Sequence, residues 1–165
     1  MRAQICFFVS ILFSYVAWGL VTARLILPEL RGRGRNEALR PLLMFHSFRF
    51  VGLAFLVPGV VSPNLPAAFA EGAAYGDIVA AMLALLALAL LPGRIGIVAA
   101  WVVNLWGSAD ILFANYQGIH LGVQAGQLGA AYFLPTFIVP LFLITHGLIF
   151  WLLLRNENEA AVPAK

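Results

Sequence analysis

The chain has 165 residues, of which 62% are hydrophobic and 10% are charged, and it carries a formal net charge of +3. An ordinary soluble domain has roughly 25% charged residues, so this composition excludes the water-soluble globular class and indicates a membrane protein. Spans of about 20 residues with short connections leave no room for a separate soluble domain, and we predict one transmembrane domain over residues 1–165. The single cysteine excludes an internal disulfide and a multi-cysteine metal site.

Five apolar stretches follow one another along the chain, each long enough to cross a bilayer as a helix. The predicted spans cover residues 5–26, 42–61, 75–91, 95–114 and 130–154. The predicted fold class is all-α: an integral membrane bundle of about five transmembrane helices, with short interfacial helices on the outer face. The first stretch exceeds the apolar core of a signal peptide, so we expect an uncleaved span. The third is the shortest, and a re-entrant segment there would invert the topology downstream.

Positive charge is concentrated in the connections on one side of these spans. A basic loop over residues 27–41, Arg94 and a short tail over residues 155–165 fall on that side, whereas Arg2 and Glu71 fall on the other. Because Lys and Arg accumulate in cytoplasmic loops, we predict that the N-terminus is outside and the C-terminus is cytoplasmic. Anionic lipid headgroups are the expected counterions, and no nucleic-acid partner is predicted.

Two connections on the predicted outer face contain helix signals. In the first, Pro66 stands where a short interfacial helix would begin, and Gly72 with Gly76 forms a small-xxx-small pair at the entry to the third span. In the second, over residues 115–129, glycines recur every four residues opposite a row of Gln and His side chains, which predicts a helix that packs by its glycine face. These packing glycines are Gly118, Gly122 and Gly126.

Polar side chains at membrane depth are the candidate functional residues, because a charged group there costs about 2.5 to 3.5 kcal/mol unless it is paired or hydrated. The ligand-binding candidates are His46, Arg49, Asp77, Asn104, Asp110 and His146. Asp110 lies inside the fourth span and is the best candidate for a functional carboxylate. Asp77 fits two interpretations: a cap on the first turn of the third span, or, with Asp110 and Glu71, an acidic mouth that gathers cations or protons.

His46 and Arg49 are three residues apart and therefore share a helix face. Two interpretations of Arg49 are open: its long side chain extends to the lipid phosphates at the cytoplasmic boundary, or it pairs with a carboxylate, an anionic headgroup or a quinone carbonyl.

His46 and His146 lie at comparable depth on different spans. One hypothesis is that the pair ligates haem b, and the other is that each ring bonds to neighbouring backbone or hydroxyl groups. No catalytic residue is predicted, because motifs of zinc peptidases, serine hydrolases and nucleotide-binding sites do not occur in the sequence. Apart from the haem hypothesis, no metal site is predicted.

A pattern of the form H-x2-R-x2-G, LP-x2-FA and GD covers about a third of the chain. Its residues are His46, Arg49, Gly52, Leu65, Pro66, Phe69, Ala70, Gly76 and Asp77. The pattern resembles one shared by small bacterial polytopic inner-membrane proteins that have no assigned activity. The resemblance implies a bacterial cytoplasmic (inner) membrane location and brings no ligand, partner or reaction with it.

Three classes of function fit these observations. The first is a non-enzymatic protein that acts through helix packing, with membrane-protein partners or as a homo-oligomer, in the lipid bilayer. The second is a small-solute or ion carrier, which the prolines Pro135 and Pro140 favour if they break the fifth span, although the chain has no internal repeat. The third is a redox component that binds haem or a quinone through His46, Arg49 and His146.

Overall fold

A computed structural model describes residues 2–155, and the predicted tail beyond Arg155 lies outside the described residues. The regular structure of residues 2–155 is entirely helical, without a β-strand, which confirms the all-α prediction. Five helices are long and apolar enough to cross a membrane. They are α1 (Arg2–Arg31), α2 (Arg35–Leu56), α3 (Ala67–Leu90), α4 (Arg94–His120) and α5 (Leu134–Leu154). A 3-10 helix, Ala125–Tyr132, precedes α5.

The predicted basic loop over residues 27–41 is mostly helical. The first helix continues to Arg31 and the second begins at Arg35, so only residues 32–34 connect them. Arginine is a good helix former, and a helix does not have to end where its sequence stops being apolar. The prediction of a loop was therefore wrong, although the arginines do lie together at one end of the bundle.

The third helix is longer than predicted. Pro66 occupies the N-cap position of α3, which runs without interruption over 24 residues, so the separate interfacial helix predicted after Pro66 is wrong. At 1.5 Å per residue such a helix is about 36 Å long, enough to cross a bilayer, and a re-entrant segment is not needed. Asp77 lies well inside this helix, and its interpretation as a first-turn cap is therefore also wrong.

The helix predicted over residues 115–129 is not present as a single element. The fourth helix ends at His120, and Gly122 follows it with a positive φ of 64°, a conformation that favours glycine. Gly126 lies on the separate 3-10 helix. The prediction that Gly118, Gly122 and Gly126 share one helix face was therefore wrong.

Two of the glycines, Gly72 and Gly118, lie where α3 and α4 pack against each other. A methyl group added at Gly118 would lie 3.4 Å from the ring of Phe69, and one added at Gly72 would lie 3.0 Å from the side chain of Gln117. Glycine at these positions allows the two helices to approach closely.

Two wider, π-helical turns precede prolines within the long helices. They are Thr22–Ile26, before Pro28 in α1, and Leu134–Ile138, before Pro140 in α5. Proline lacks an N–H and its ring crowds the preceding turn, and a local π-turn accommodates it without ending the helix. The fifth helix is therefore continuous, contrary to the expectation that its prolines break it.

The second helix changes from α to 3-10 geometry at Ser47 and keeps that geometry to Leu56. Runs of 3-10 helix longer than three or four residues are uncommon. With three residues per turn, side chains three positions apart lie directly above one another. The buried residues that recur at this spacing are His46, Arg49, Gly52 and Phe55.

The core of the bundle has three layers along its axis. One apolar cluster includes Leu39, Leu43 and Ile149, and a second, at the opposite end, includes Phe55 and Phe69. On α2, α3, α4 and α5 alike, the polar candidates fall in sequence between residues of the first cluster and residues that belong to the second or pack against it. A layer of buried polar side chains therefore separates the two apolar clusters.

Arginines are concentrated at one end of the bundle, and side-chain hydrogen bonds hold the connections at both ends. At the basic end (residues 31–36, 91–94 and 152–155), Arg155 donates to the carbonyl of Arg33 at 2.9 Å and Arg35 donates to the carbonyl of Leu152 at 3.2 Å. At the open end (residues 2–4, 57–66 and 121–130), the side chain of Gln127 donates to the carbonyl of Asn64 at 2.8 Å. These bonds fix the connections that close each end.

Candidate functional site

Arg49 is the centre of the polar layer. Its Nε donates to Asp77 Oδ1 at 2.7 Å, and its Nη2 donates to Asp110 Oδ2 at 2.5 Å. The arginine is only 1% exposed, so its side chain does not extend to a lipid boundary, and that interpretation is wrong. The alternative interpretation, in which Arg49 pairs with carboxylates, describes the geometry found: three side chains from α2, α3 and α4 form one ionic cluster.

The remaining nitrogen of Arg49 is also occupied. Its Nη1 donates to the backbone carbonyl of Gly107 at 3.0 Å and lies 3.4 Å from Nε2 of His146. All three guanidinium nitrogens are thus engaged by groups of the chain itself, and the side chain is enclosed. Arg49 has no free donor to offer a quinone carbonyl or an anionic headgroup.

The two carboxylates, in contrast, have unused acceptor capacity. Within residues 2–155 no hydrogen-bond donor contacts Asp77 Oδ2 or Asp110 Oδ1. The side chain of Asp77 is 20% exposed and that of Asp110 is 11% exposed, whereas Arg49 is buried behind them. Glu71, which the sequence grouped with these aspartates, is exposed at the surface and does not join the cluster.

The hydrogen bonds of His146 assign its protonation state. An arginine side chain only donates, so His146 Nε2 accepts from Arg49 and its proton is on Nδ1. The Nδ1 group then donates to Asn104 Oδ1 at 2.7 Å. This pattern makes His146 a neutral imidazole that extends the cluster from Arg49 to Asn104, which is fully buried.

His46 bonds to a hydroxyl group and does not join the ionic cluster directly. Its Nε2 lies 3.1 Å from Thr145 Oγ1, whose single hydrogen is directed to backbone carbonyls one turn earlier. His46 Nε2 is therefore the donor. The hypothesis that each histidine bonds to backbone or hydroxyl groups holds for His46, whereas His146 bonds to the side chains of Arg49 and Asn104.

The two histidines do not fit the haem hypothesis. Their ring centroids are 4.1 Å apart, so the imidazoles contact each other. A haem with two axial histidines lies between the rings and bonds to a nitrogen of each. Here Nε2 of His146 and Nε2 of His46 are both engaged with side chains of the protein, and the pair is better described as part of the packed polar layer.

Three glycines make the space for this cluster. A Cβ atom at Gly52 would overlap the side chain of Asp77, and one at Gly76 would overlap the carboxylate of Asp110. A Cβ at Gly107 would lie 2.6 Å from both Arg49 Nη1 and His146 Cε1. Glycine at these positions lets the charged side chains lie directly against neighbouring backbones.

Gly107 is one of two site residues that the sequence did not predict. Its signal is its spacing, because Asn104, Gly107 and Asp110 recur every three residues on α4 and all three contribute to the cluster. Thr145 was also missed, since a single threonine in an apolar stretch is not distinctive. The six predicted candidates themselves all lie in the polar layer, each within contact distance of another member.

A cavity of about 390 Å³ leads from the open end to the ionic cluster. Its charged floor consists of Arg49, Asp77 and Asp110, and its walls include aromatic rings. Those rings belong to Phe7, Phe8, Phe55 and Phe69. Pockets that hold small organic ligands are about 300 to 1,000 Å³ in volume and combine apolar walls with a few polar groups. The cavity has both properties.

The chain belongs to the family described as Domain of unknown function (DUF8737), whose model matches residues 6–154. The matched region contains the whole polar layer and all of the cavity floor. No curated protein and no solved structure matches the chain. The function of this domain must therefore be argued from the geometry of its site.

Proposed function

We propose that this protein is a five-span integral membrane protein that binds a small amphipathic organic molecule in the cavity at its open end. The observation that carries the proposal is the position of the Arg49, Asp77 and Asp110 cluster, which forms the charged floor of an otherwise largely apolar cavity. Ionisable groups at membrane depth are costly and mark ligand or ion sites by default.

The apolar surface supports insertion into a bilayer. Large hydrophobic side chains are more than half exposed on the outer faces of the helices, such as Leu12, Leu85 and Leu112. Such a surface is stable only against lipid. We further propose that the basic end is cytoplasmic, with the N-terminus outside, because arginines are concentrated there. The pattern that includes His46 and Arg49 supports placement in a bacterial inner membrane.

Binding, in contrast to catalysis, is the activity that the lining favours. None of the described residues that line the cavity is a serine, cysteine, histidine, lysine or tyrosine. These residues therefore offer no hydroxyl, thiol, amine or imidazole group for covalent or acid–base catalysis. The remaining acid–base groups of the lining, Asp77 and Asp110, are both paired with Arg49. The proposed function is non-enzymatic, the class that the sequence favoured. Action through helix packing with partners has less support, because Gly118, Gly122 and Gly126 do not lie on one helix face.

A carrier is the second candidate. The apolar cluster around Leu39, Leu43 and Ile149 closes the path from the polar layer to the basic end, so a carrier would have to open it. One observation favours such a motion: Arg49 lies on the 3-10 segment Ser47–Leu56, the C-terminal half of α2, and a 3-10 helix of this length is uncommon because its hydrogen bonds are poorer than those of an α-helix.

Native mass spectrometry of the protein extracted gently from a bacterial membrane tests the binding proposal. We expect a retained small molecule, lost when Ala114→Trp fills the cavity from α4. The matched control is Leu112→Trp, on the same helix, where the side chain is 61% exposed and lies outside the cavity lining. A bare protein in every preparation, or a retained mass that both variants keep, would contradict the proposal.

A further inference from the structure

The charge of the cavity floor identifies the class of ligand. We infer that the bound molecule is an organic cation: a protonated or quaternary amine attached to an apolar body. The inference rests on the proposed function and adds the chemistry of the head group, which the cavity alone does not specify.

The charges of the ionic cluster do not balance. With both carboxylates ionised, one guanidinium and two carboxylates carry a formal charge of −1, and the neighbouring His146 is a neutral imidazole. No described residue of the cavity lining other than Arg49 is cationic. An uncompensated charge in a low-dielectric interior is strongly unfavourable, so a cation brought by the ligand would neutralise the site.

The two carboxylates, and not the guanidinium, have hydrogen-bonding capacity left for a ligand. Arg49 is enclosed and all of its nitrogens are engaged, so the floor has no free donor for an anion. Asp77 and Asp110 are the partly exposed members of the cluster and each retains an unpaired oxygen. The floor therefore offers acceptors only, and an ammonium group is a donor only.

The walls of the cavity are aromatic as well as apolar. Aromatic rings from α1, α2 and α3 line the same cavity as the two carboxylates. Aromatic faces attract organic cations through the negative potential of the ring, and they also bury an apolar body. An inorganic cation such as Ca²⁺ would need six to eight oxygen ligands, which two carboxylates at the floor of this apolar cavity do not supply.

Three matched eight-carbon probes test the inference: octylamine, octanol and octanoate. The purified protein in nanodiscs of zwitterionic lipid is titrated with each probe, and binding is followed by the shift in melting temperature. Octylamine should bind about tenfold or more tightly than octanol, because a hydrogen bond between charged groups is stronger than one from a neutral hydroxyl. Octanoate should bind more weakly than both.

The variants Asp77→Asn and Asp110→Asn should each remove the preference for the amine while leaving octanol binding in place. Ala114→Trp should weaken binding of all three probes, and Leu112→Trp should weaken none, which keeps the test valid if an aspartate variant fails to fold. Equal affinity for amine and alcohol, or a preference for octanoate, would overturn the inference while leaving the cavity as a binding site. If none of the probes shifts the melting temperature, the proposed function itself fails.

Discussion

Arg49 illustrates how this chain encloses a permanent charge in the interior of the bundle. The side chain is 1% exposed, and its cost is offset by two carboxylates on separate helices and by the backbone carbonyl of Gly107. Together these contacts use all three nitrogens of the planar guanidinium fork, an arrangement that a lysine ammonium cannot reproduce. The identity of the residue therefore matters as much as its charge.

Replacing Arg49 alone should lower the free energy of unfolding strongly. Replacing Arg49 together with both aspartates should lower it less. Arg49→Met leaves two carboxylates buried without a partner, and breaking a buried pair in this way costs about 3–5 kcal/mol. Arg49→Lys should also lower the melting temperature, because one ammonium cannot bridge Asp77 and Asp110 in the same geometry. Thermal unfolding in detergent, monitored by size-exclusion chromatography, measures both effects.

The triple variant Arg49→Met, Asp77→Asn, Asp110→Asn is the informative comparison. It should melt at a higher temperature than Arg49→Met alone, because no unpaired charge is left behind. Arg94→Lys, at an exposed position, is the control and should melt like the parent protein. If Arg49→Met melted like the parent, the buried ionic cluster would not exist.

Gly107 should not tolerate a methyl group. The added Cβ would lie 2.6 Å from Arg49 Nη1 and from the ring of His146, so Gly107→Ala must displace one of them. Overpacking of this kind costs about 1–3 kcal/mol. Gly147→Ala is the matched control, because no atom lies within 4 Å of its added Cβ, and alanine is a better helix former than glycine. Melting temperatures that fell equally in both variants would argue against the described geometry.

The 3-10 geometry of the second helix explains the spacing of the H-x2-R-x2-G motif. Its buried residues recur every three positions, which is the period of a 3-10 helix, whereas an α-helix repeats every 3.6 residues. The motif H-x2-R-x2-G is the first part of this row. Sequence reasoning identified the motif and assumed α-helical geometry, under which Gly52 would drift away from the buried face.

A spin-label scan of residues 47–56 tests this geometry. A label at Phe55 should be immobile and shielded from a lipid-soluble paramagnetic reagent, and labels at Phe50 and Leu53 should be accessible. Leu53 decides the question, because a period of 3.6 would place it on the buried face with Arg49, whereas a period of 3.0 keeps it on the exposed face. Shielding at Leu53 would mean that this segment is an ordinary α-helix.

Hydropathy and charge were sufficient to predict the five helices, because length and apolar composition respond to a single physical requirement. They did not predict where the helices end: α3 and α4 extend well beyond their apolar stretches, to Ala67 and His120. The polar candidates could be found because charge at membrane depth is rare. The pairing of these residues could not be predicted, because contact between Arg49 and Asp110 depends on how the helices are rotated about their axes. That rotation depends on glycines such as Gly107, whose close contacts are seen only in three dimensions.

At the scale of the whole molecule, the layers of the core give the bundle a direction. The polar layer is connected to the open end by the cavity and separated from the basic end by an apolar cluster. Under the proposed orientation, in which the arginine-rich basic end is cytoplasmic, the proposed cavity opens to the outside of the cell. The cavity would then be accessible to molecules in the outer leaflet or in solution outside it.

The orientation can be tested with single cysteines in a Cys6→Ser background. Asn64→Cys, at the open end, should react with a membrane-impermeant maleimide in intact cells, whereas Gly34→Cys, at the basic end, should react only after the cells are lysed. Both positions are exposed, and an added Cβ at Gly34 meets no atom within 4 Å. The opposite labelling pattern would reverse the proposed orientation.

The central claim is that the Arg49, Asp77 and Asp110 cluster is the floor of a ligand cavity. The most direct measurement is an electron cryo-microscopy map of the protein in lipid nanodiscs, determined with octylamine present and without it. In the map with octylamine, we predict ligand density in the cavity, with the amine within hydrogen-bond distance of the unpaired oxygen of Asp77 or Asp110. Arg49 should be enclosed behind these carboxylates in both maps. A map in which Arg49 extends to the lipid phosphates, or in which the cavity is filled by the side chains of the protein, would contradict the account.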